Sequence, residues 1–345
     1  MSDLLYSEVE EELRASVRSL LSDRVDLSLF EGAADMKLWR ALAADMGCAG
    51  LPIPESAGGA GATWRETAVV MEELGRFAAP VPFLGSAVLA TAALPADDPL
   101  LPELAAGTRT AALAIPLSGA AQWTVEGGAT LSGPVTTVAD ALTADVLLVP
   151  TAAGLFAADA SDVTRTPVVS LDLTRPVADL AFEGTPARLV SADAAPPVSR
   201  ALLAGAALLA SEQLGIAEWC LETTVEYAKT RRQFARQIGS YQAIKHRLAD
   251  LWVAVTQARA VARYAADCLA NDDPDLPVAA SLAQAFCSPV AVKAAEECVQ
   301  LHGGIGFTWE HPAHWYLKRA RANATALGSA TRHRALLADL VNLPA

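Results

Sequence analysis

The amino-acid sequence predicts an α+β protein of three successive units: helical over residues 1–106, a small β-barrel or sandwich over 107–192, and a helical bundle over 193–345. Two changes of pattern carry that reading. Apolar residues recur at three- and four-residue steps in the first and last units, whereas the middle holds short Val/Thr/Leu runs separated by Gly, Pro and Asp. Bulk is the third observation. A chain of 345 residues exceeds the usual single-domain size, and 52% hydrophobic against 19% charged residues excludes disorder.

In the first unit Leu13, Val17, Leu20 and Leu21 lie on one helical face. The stretch LPIPESAGGAGATWRETAVVMEELGRFAAPVPF then reads as a Gly-rich turn, a helix N-capped near Thr63, and an exit bounded by Pro80 and Pro82. In the middle unit, ADVLLVPT and TPVVSLDL are the clearest strands. In the last unit Ile244, Leu248, Leu251 and Val255 form an apolar stripe. Asp272, Asp273, Pro274 and Pro277 break this unit into helices that would pack as an antiparallel four-helix bundle.

Charge narrows the partners. With 26 basic against 39 acidic residues, the formal charge of -13 repels phosphate backbones and anionic lipid headgroups, so neither nucleic acid nor a membrane surface is expected. An anionic ligand would need local Arg or Lys residues and helix N-termini. Cys48, Cys220, Cys268, Cys287 and Cys298 sit in apolar surroundings without CxxC pairing and read as buried free thiols. The acidic, amphipathic start MSDLLYSEVEEELRASVRSL is unlike a signal peptide, and no uninterrupted apolar run reaches bilayer-spanning length. A reducing cytoplasm is the expected compartment. His246, His302, His311, His314 and His333 show no metal-ligand spacing beyond the pair at 311 and 314, which lacks a third ligand, so no metal is expected.

Two stretches carry chemistry. In AKTRRQFARQIGSYQAIKHRLADLW, Arg231 precedes Phe234 by three residues and Gln242 follows Phe234 by eight. A guanidinium can fork across two phosphate oxygens, and a Gln amide can satisfy ribose or phosphate groups without adding charge. The competing reading is a basic helix end pairing with the last carbonyls. In VQLHGGIGFTWEHP, Gln300 and His302 lead into Gly303 and Gly304, a pair that permits close backbone approach to a ligand. An ordinary glycine C-cap is the alternative there. It is not a strand-turn-helix dinucleotide fingerprint, because no strand precedes it and the third glycine is absent.

Both stretches, in register with LPIPESAGGAG and MEELGR, resemble the acyl-CoA dehydrogenase family over essentially the whole chain. The resemblance implies that Arg231, Phe234 and Gln242 line the adenine and pyrophosphate end of FAD. It also implies that Gln300, His302, Gly303 and Gly304 belong to the segment that reaches a flavin held by a neighbouring subunit. Departures from the family are equally specific. The acid-Pro-Gly loop that would flank the flavin ring is replaced by ALAIPLSGAAQW. Aligned on Leu131–Gly133, Val135 stands at the Lys, Thr137 at the Trp and Ala139 at the Thr of the family's Lys-x-Trp-Ile-Thr strand.

Proton abstraction beside a thioester carbonyl needs a positioned carboxylate of raised pKa. The family places that Glu at one of two sites, and here they hold Leu327 (followed by Gly328 and Ser329) and Gly205. Glu212, Glu218, Glu222 and Glu226 follow Gly205 by at least two turns and read as solvated or capping charges. No catalytic residue is therefore assigned to this chain. The expectation is one subunit of a heterotetramer that clamps the FAD of a homologous, Glu-bearing partner, as in the split enzymes of actinobacterial sterol side-chain breakdown. The substrate would be an acyl-CoA, and an electron-transfer flavoprotein would reoxidise the flavin. The alternatives are a self-sufficient homo-oligomer with a displaced base, and a flavin-free acyl-CoA-binding or scaffold protein.

Overall fold

The computed structural model describes residues 4–27, 30, 32–119 and 122–343. Ser7 opens α1 (Glu8–Arg24) through a capping box with Glu10, and Glu8, Glu10 and Glu11 meet the positive end of the helix dipole. Val17 and Leu21 are its buried face, with Leu13 and Leu20 packed beside them. Next comes α2 (Met36–Arg40), capped by Asp35. Thr63 caps α3 (Trp64–Arg76) in a second capping box with Glu66, as the sequence predicts. The helical stretch from Leu84 ends in α4 (Thr91–Ala93), and α5 (Leu101–Ala105) closes this part of the chain.

The middle strands are β1 (Ala111–Leu113), β2 (Glu126–Gly127), β3 (Thr130–Ala139), β4 (Val146–Thr151), β5 (Gly154–Asp159), β6 (Thr164–Val168) and β7 (Val177–Ser191). Their order is β1-β4-β5-β7-β3-β2, with β6 also on β7, and only the β1–β4 pair is parallel among those described. Because β7 pairs with β3 and β6 along its first part and with β5 along its last, the strands form two connected halves over one apolar core. Period-two alternation makes β4 the bridge to the helices. Its Leu147 and Val149 face the sheet core, while Val146 and Leu148 join the helical core.

Five helices complete the chain: α6 (Ala195–Thr230), α7 (Gln242–Ala270), α8 (Leu276–His302), α9 (Ala313–Asn323) and α10 (Ala330–Leu340). Between α6 and α7 lies a hairpin of β8 (Arg232–Gln233) and β9 (Arg236–Gln237). Glycines set how closely α3 and α6 cross. A Cβ on Gly75 would lie 2.0 Å from the Glu212 carbonyl oxygen, and one on Gly215 would lie 1.8 Å from that of Glu72, so both backbones touch only because neither residue has a side chain.

Two expectations need correction. The helical stretches Ala195–Thr230 and Leu276–Phe307 are long and apolar enough to cross a bilayer, yet 89% and 67% of their most apolar windows are buried in the fold, where they form the bundle core. Glu212 and Glu218 are buried rather than solvated, although Glu222 and Glu226 are exposed. Partners from distant segments allow it: Glu218 pairs with Arg259 at 2.6 Å, and Glu212 with Arg319 at 3.0 Å and with Arg175. All five cysteines are free and buried.

Beside this ionic cluster, buried Asp140 accepts the Gly85 N–H at 2.9 Å. Burial pushes its pKa up to about 6, against the pull of Arg175 and Arg319. Because the folded pKa lies above the unfolded value, the stabilising proton is fully present below about pH 4 and its contribution is lost as pH rises through 6. Asp140→Asn should therefore gain stability relative to the parent across that window, by on the order of 2 kcal/mol. Denaturant midpoints measured at several pH values check it, and a constant difference between the two proteins would show that Asp140 does not titrate there.

Candidate functional site

The two motif stretches meet at one end of the bundle. The hairpin-like turn between α7 and α8 brings the α8 C-terminus back to the start of α7, where Arg247 pairs with Glu297 at 2.7 Å. The end of α6 joins them through Tyr227, whose hydroxyl donates to the His302 carbonyl (3.4 Å) and whose ring stacks on the His302 ring at 4.3 Å. Arg231, Phe234, Gln242, Gln300, Gly303 and Gly304 are all exposed on this end. Arg231, Arg232, Arg236 and Lys245, beside the ion-paired Lys229 and Arg247, make it locally cationic on a chain of charge -13, as an anionic ligand would require.

Arg231 is the C-cap of α6, but its guanidinium does not pair with the last carbonyls as the competing reading expects. Its backbone N–H closes α6 on the Tyr227 carbonyl at 2.8 Å, while its guanidinium has no hydrogen-bond or ion-pair partner among the described residues. Phe234, 88% exposed, and Ala235 form the hairpin turn with φ of 50° and 62°. Non-glycine residues pay on the order of 1 kcal/mol each for left-handed backbone, so this presentation of an aromatic ring is held against a local preference. Gln242 is the first residue of α7, with its amide nitrogen 3.5 Å from His246.

Gly303 is the C-cap of α8 with φ 64° and ψ -139°, so the C-cap reading accounts for it. Gly304 has no such need. Its φ is ordinary, and nothing lies within 4 Å of where its Cβ would be, which leaves the backbone open to a ligand. His302 departs from the other six predicted residues. It is 3% exposed, with Nδ1 2.7 Å from the Cys298 carbonyl oxygen and its ring between Tyr227 and His311, so it positions Gly303 rather than facing a ligand.

The expected flavin-ring wall and base positions lie elsewhere, and the structure brings both base positions together. A Cβ on Gly205 would lie 2.8 Å from Leu327 Cδ1 and 2.5 Å from Leu89 Cδ2, so apolar side chains fill the space at both. Leu327, at φ 55°, donates its N–H to the Leu117 carbonyl at 2.7 Å, and Leu117 donates in turn to the Thr137 carbonyl at 3.0 Å. Thr137 sits in a bulge at φ 54° with its N–H on Asp179, while Val135 and Ala139 are buried. The segment replacing the acid-Pro-Gly loop is thus bonded across both positions; its Ala120 and Ala121 lie outside the described residues.

A cavity of about 490 Å³ adjoins Leu327, and no carboxylate lines it among the described residues. The ionisable side chains there are Arg332 and His333, the latter one of the five histidines whose spacing matches no ligand set. Burial pushes its pKa down, and Nε2 lies 3.1 Å from the Leu327 carbonyl oxygen. Of the acids on α6, Glu212 is held in an ion-paired cluster. Burial would raise the Glu212 pKa, but Arg175 and Arg319 outweigh it and hold the group at about 2, ionised and shielded by two guanidiniums. No group of three or more His, Cys, Asp or Glu side chains suited to a metal occurs among the described residues.

Residues 7–96 match the acyl-CoA dehydrogenase N-terminal domain, and residues 197–341 match the acyl-CoA dehydrogenase C-terminal domain. Acyl-CoA dehydrogenase IpdE2 of Mycobacterium tuberculosis is 38% identical over 331 residues, covering 93% of this chain and 94% of that protein. A chain in the ChsE4-ChsE5 complex from Mycobacterium tuberculosis superposes with a TM-score of 0.89 at 29% identity, covering 100% of both chains. A chain of the Tcur3481-Tcur3483 steroid ACAD gives 0.86 at 30% identity, covering 97% of this chain and 98% of that one.

Proposed function

This chain belongs to the acyl-CoA dehydrogenase family, and from that premise we propose that it is the non-catalytic subunit of a heteromeric, FAD-dependent acyl-CoA dehydrogenase. The observation that carries the reading is the asymmetry between its two half-sites. At the bundle end, Arg231 is free, Gly304 is open and the surroundings are cationic, which fits the adenine and pyrophosphate end of FAD. At the other half, Leu327 and Gly205 meet without a carboxylate, and backbone hydrogen bonds from Leu117 tie the loop to Leu327 and Thr137, which does not fit a flavin ring. In the proposed complex, Arg231 would hold the pyrophosphate, Gln242 and Gln300 would satisfy neutral polar groups, and the Gly303–Gly304 backbone would let the ligand approach. FAD, when bound, supplies the hydride acceptor.

A homologous partner would contribute the Glu that takes the α-proton, and an electron-transfer flavoprotein would reoxidise the pair. Likeness to a steroid acyl-CoA dehydrogenase and to the ChsE4-ChsE5 complex supports a steroid side-chain CoA ester as substrate and a two-plus-two assembly. The paired state of Glu212 and Glu218 weighs against a self-sufficient enzyme with a displaced base.

Arg231→Ala in the reconstituted complex is expected to lower FAD occupancy rather than slow the chemistry at full occupancy. Losing a charge-assisted phosphate contact costs about 1.5–3 kcal/mol, roughly ten- to a hundredfold in affinity. Flavin absorbance across an FAD titration measures it. Unchanged occupancy would remove Arg231 from the clamp.

A further inference from the structure

Next to the bundle end, a cavity of about 260 Å³ lies between the segment after α1, the end of α3, the middle of α6 and the start of α9. Five aromatic residues line it: Phe77, Trp219, Trp309, Trp315 and Tyr316. Among the described residues, the charged ones that line it, Asp26 and Glu310, are both acidic and exposed. Among them too, Lys318 is the cation that lies over its rings, at Trp309 and Trp315.

The aromatic walls are held rigidly. Trp219 and Tyr316 are stacked with centroids 3.6 Å apart and planes within 4°, and the Tyr316 hydroxyl donates to the Arg76 carbonyl at 2.7 Å. Trp309 and Trp315 stand edge to face at 5.9 Å. This pair already receives a cation, since Lys318 Nζ lies 4.4 Å from the Trp309 centroid and 4.9 Å from that of Trp315. Indole faces attract cations through their quadrupole, and carboxylates at the edge add a field of the same sense.

We propose that this cage is a binding site for an organic cation, an alkylammonium or guanidinium group. Size supports a single head group or side chain, because about 260 Å³ falls below the roughly 300–1,000 Å³ of pockets that enclose whole ligands. Aromatic faces distinguish the ligand from a metal ion. A hydrated inorganic cation would gain little from rings it cannot touch, whereas a methylated or alkylated nitrogen is weakly hydrated and fills the space. The group can arrive on a free small molecule or on a Lys or Arg side chain of the partner subunit, since Trp309 and Glu310 follow directly on the clamp segment that ends at Phe307.

Titration of the full chain with tetramethylammonium chloride, read by tryptophan fluorescence, tests the site. A saturable change in the millimolar range is expected, absent with sodium chloride at equal ionic strength and with tert-butanol, the neutral analogue. Trp309 is 70% exposed and Glu310 is also at the surface, so Trp309→Leu and Glu310→Gln should fold normally while weakening binding by roughly three- to thirtyfold and a few-fold respectively. A response that sodium chloride or tert-butanol reproduces, or one unaltered by Trp309→Leu, overturns the proposal. Repeating the titration in the reconstituted complex identifies the source. Loss of the response there places a partner side chain in the cage, and its persistence assigns the cage to a free molecule. Only this last arm depends on the heteromeric reading.

Discussion

Native mass spectrometry of the reconstituted complex is expected to count two FAD molecules for four chains, and the chain purified alone is expected to carry almost none and to turn over no acyl-CoA. The ratio follows from half-sites. In the homo-oligomeric pattern each subunit offers one ring half and one clamp half, so flavins equal subunits. On the proposed reading Leu327 and Gly205 replace the base and Thr137 and Ala139 replace the ring contacts, and the Leu117 backbone bonds to both Thr137 and Leu327. The clamp half keeps Arg231 unpaired and Gly304 open. Each copy can therefore complete a partner's site without hosting a flavin ring of its own. One FAD per chain, or robust flavin absorbance with turnover by the isolated chain, would sink the split-site reading and revive the self-sufficient enzyme.

Local signals were legible and meetings between distant segments were not. The Thr63 cap, the Val17 and Leu21 face and the helix-β-helix order follow from residues a few positions apart, and the structure shows all of them. The turn at Phe234 and Ala235 carries none of the usual Asn or Gly signals of a two-residue hairpin, so its left-handed backbone was invisible to propensity. That Gly75 and Gly215 are the contact points of a helix crossing depends on which helices meet, as does the encounter of Gly205 with Leu327. His302 sits beside the exposed Gln300, Gly303 and Gly304 in the chain, yet its side chain turns inward to Cys298 and Tyr227. Trp219, Trp309 and Trp315 are scattered in sequence, and only the fold gathers them around one cavity.

Replacement of Glu212 by Gln is expected to be among the most damaging single changes in the chain, although the residue makes no contact at the clamp. Glu212 lies on α6 at 2% exposure and receives Arg319 from α9 at 3.0 Å, Asn323 at 2.8 Å and Arg175 from the segment before β7. Arg319 also pairs with Asp172 at 2.8 Å. One carboxylate thus ties the strand region, the bundle and α9 together. Its depressed pKa means that the stabilisation is present above the unfolded value near 4.5 and is lost only as pH falls through about 2, so ordinary acidity does not release it. Glu212→Gln leaves Arg175 and Arg319 buried with Asp172 as the remaining carboxylate in contact. Breaking a buried pair in this way costs about 3–5 kcal/mol, a large share of a typical total of roughly 5–15 kcal/mol. Glu222→Gln is the matched comparison, because Glu222 lies on the same helix as Glu212 but is exposed, and its pair with Arg76 of α3 is open to solvent on the Glu222 side, where such pairs contribute about 0–1 kcal/mol. Denaturant unfolding of the two variants at neutral pH should separate them by several kcal/mol. Equal, small losses would mean that the buried cluster is a passive filler, and α6 would then owe its position to its packing against α3, α7 and α8.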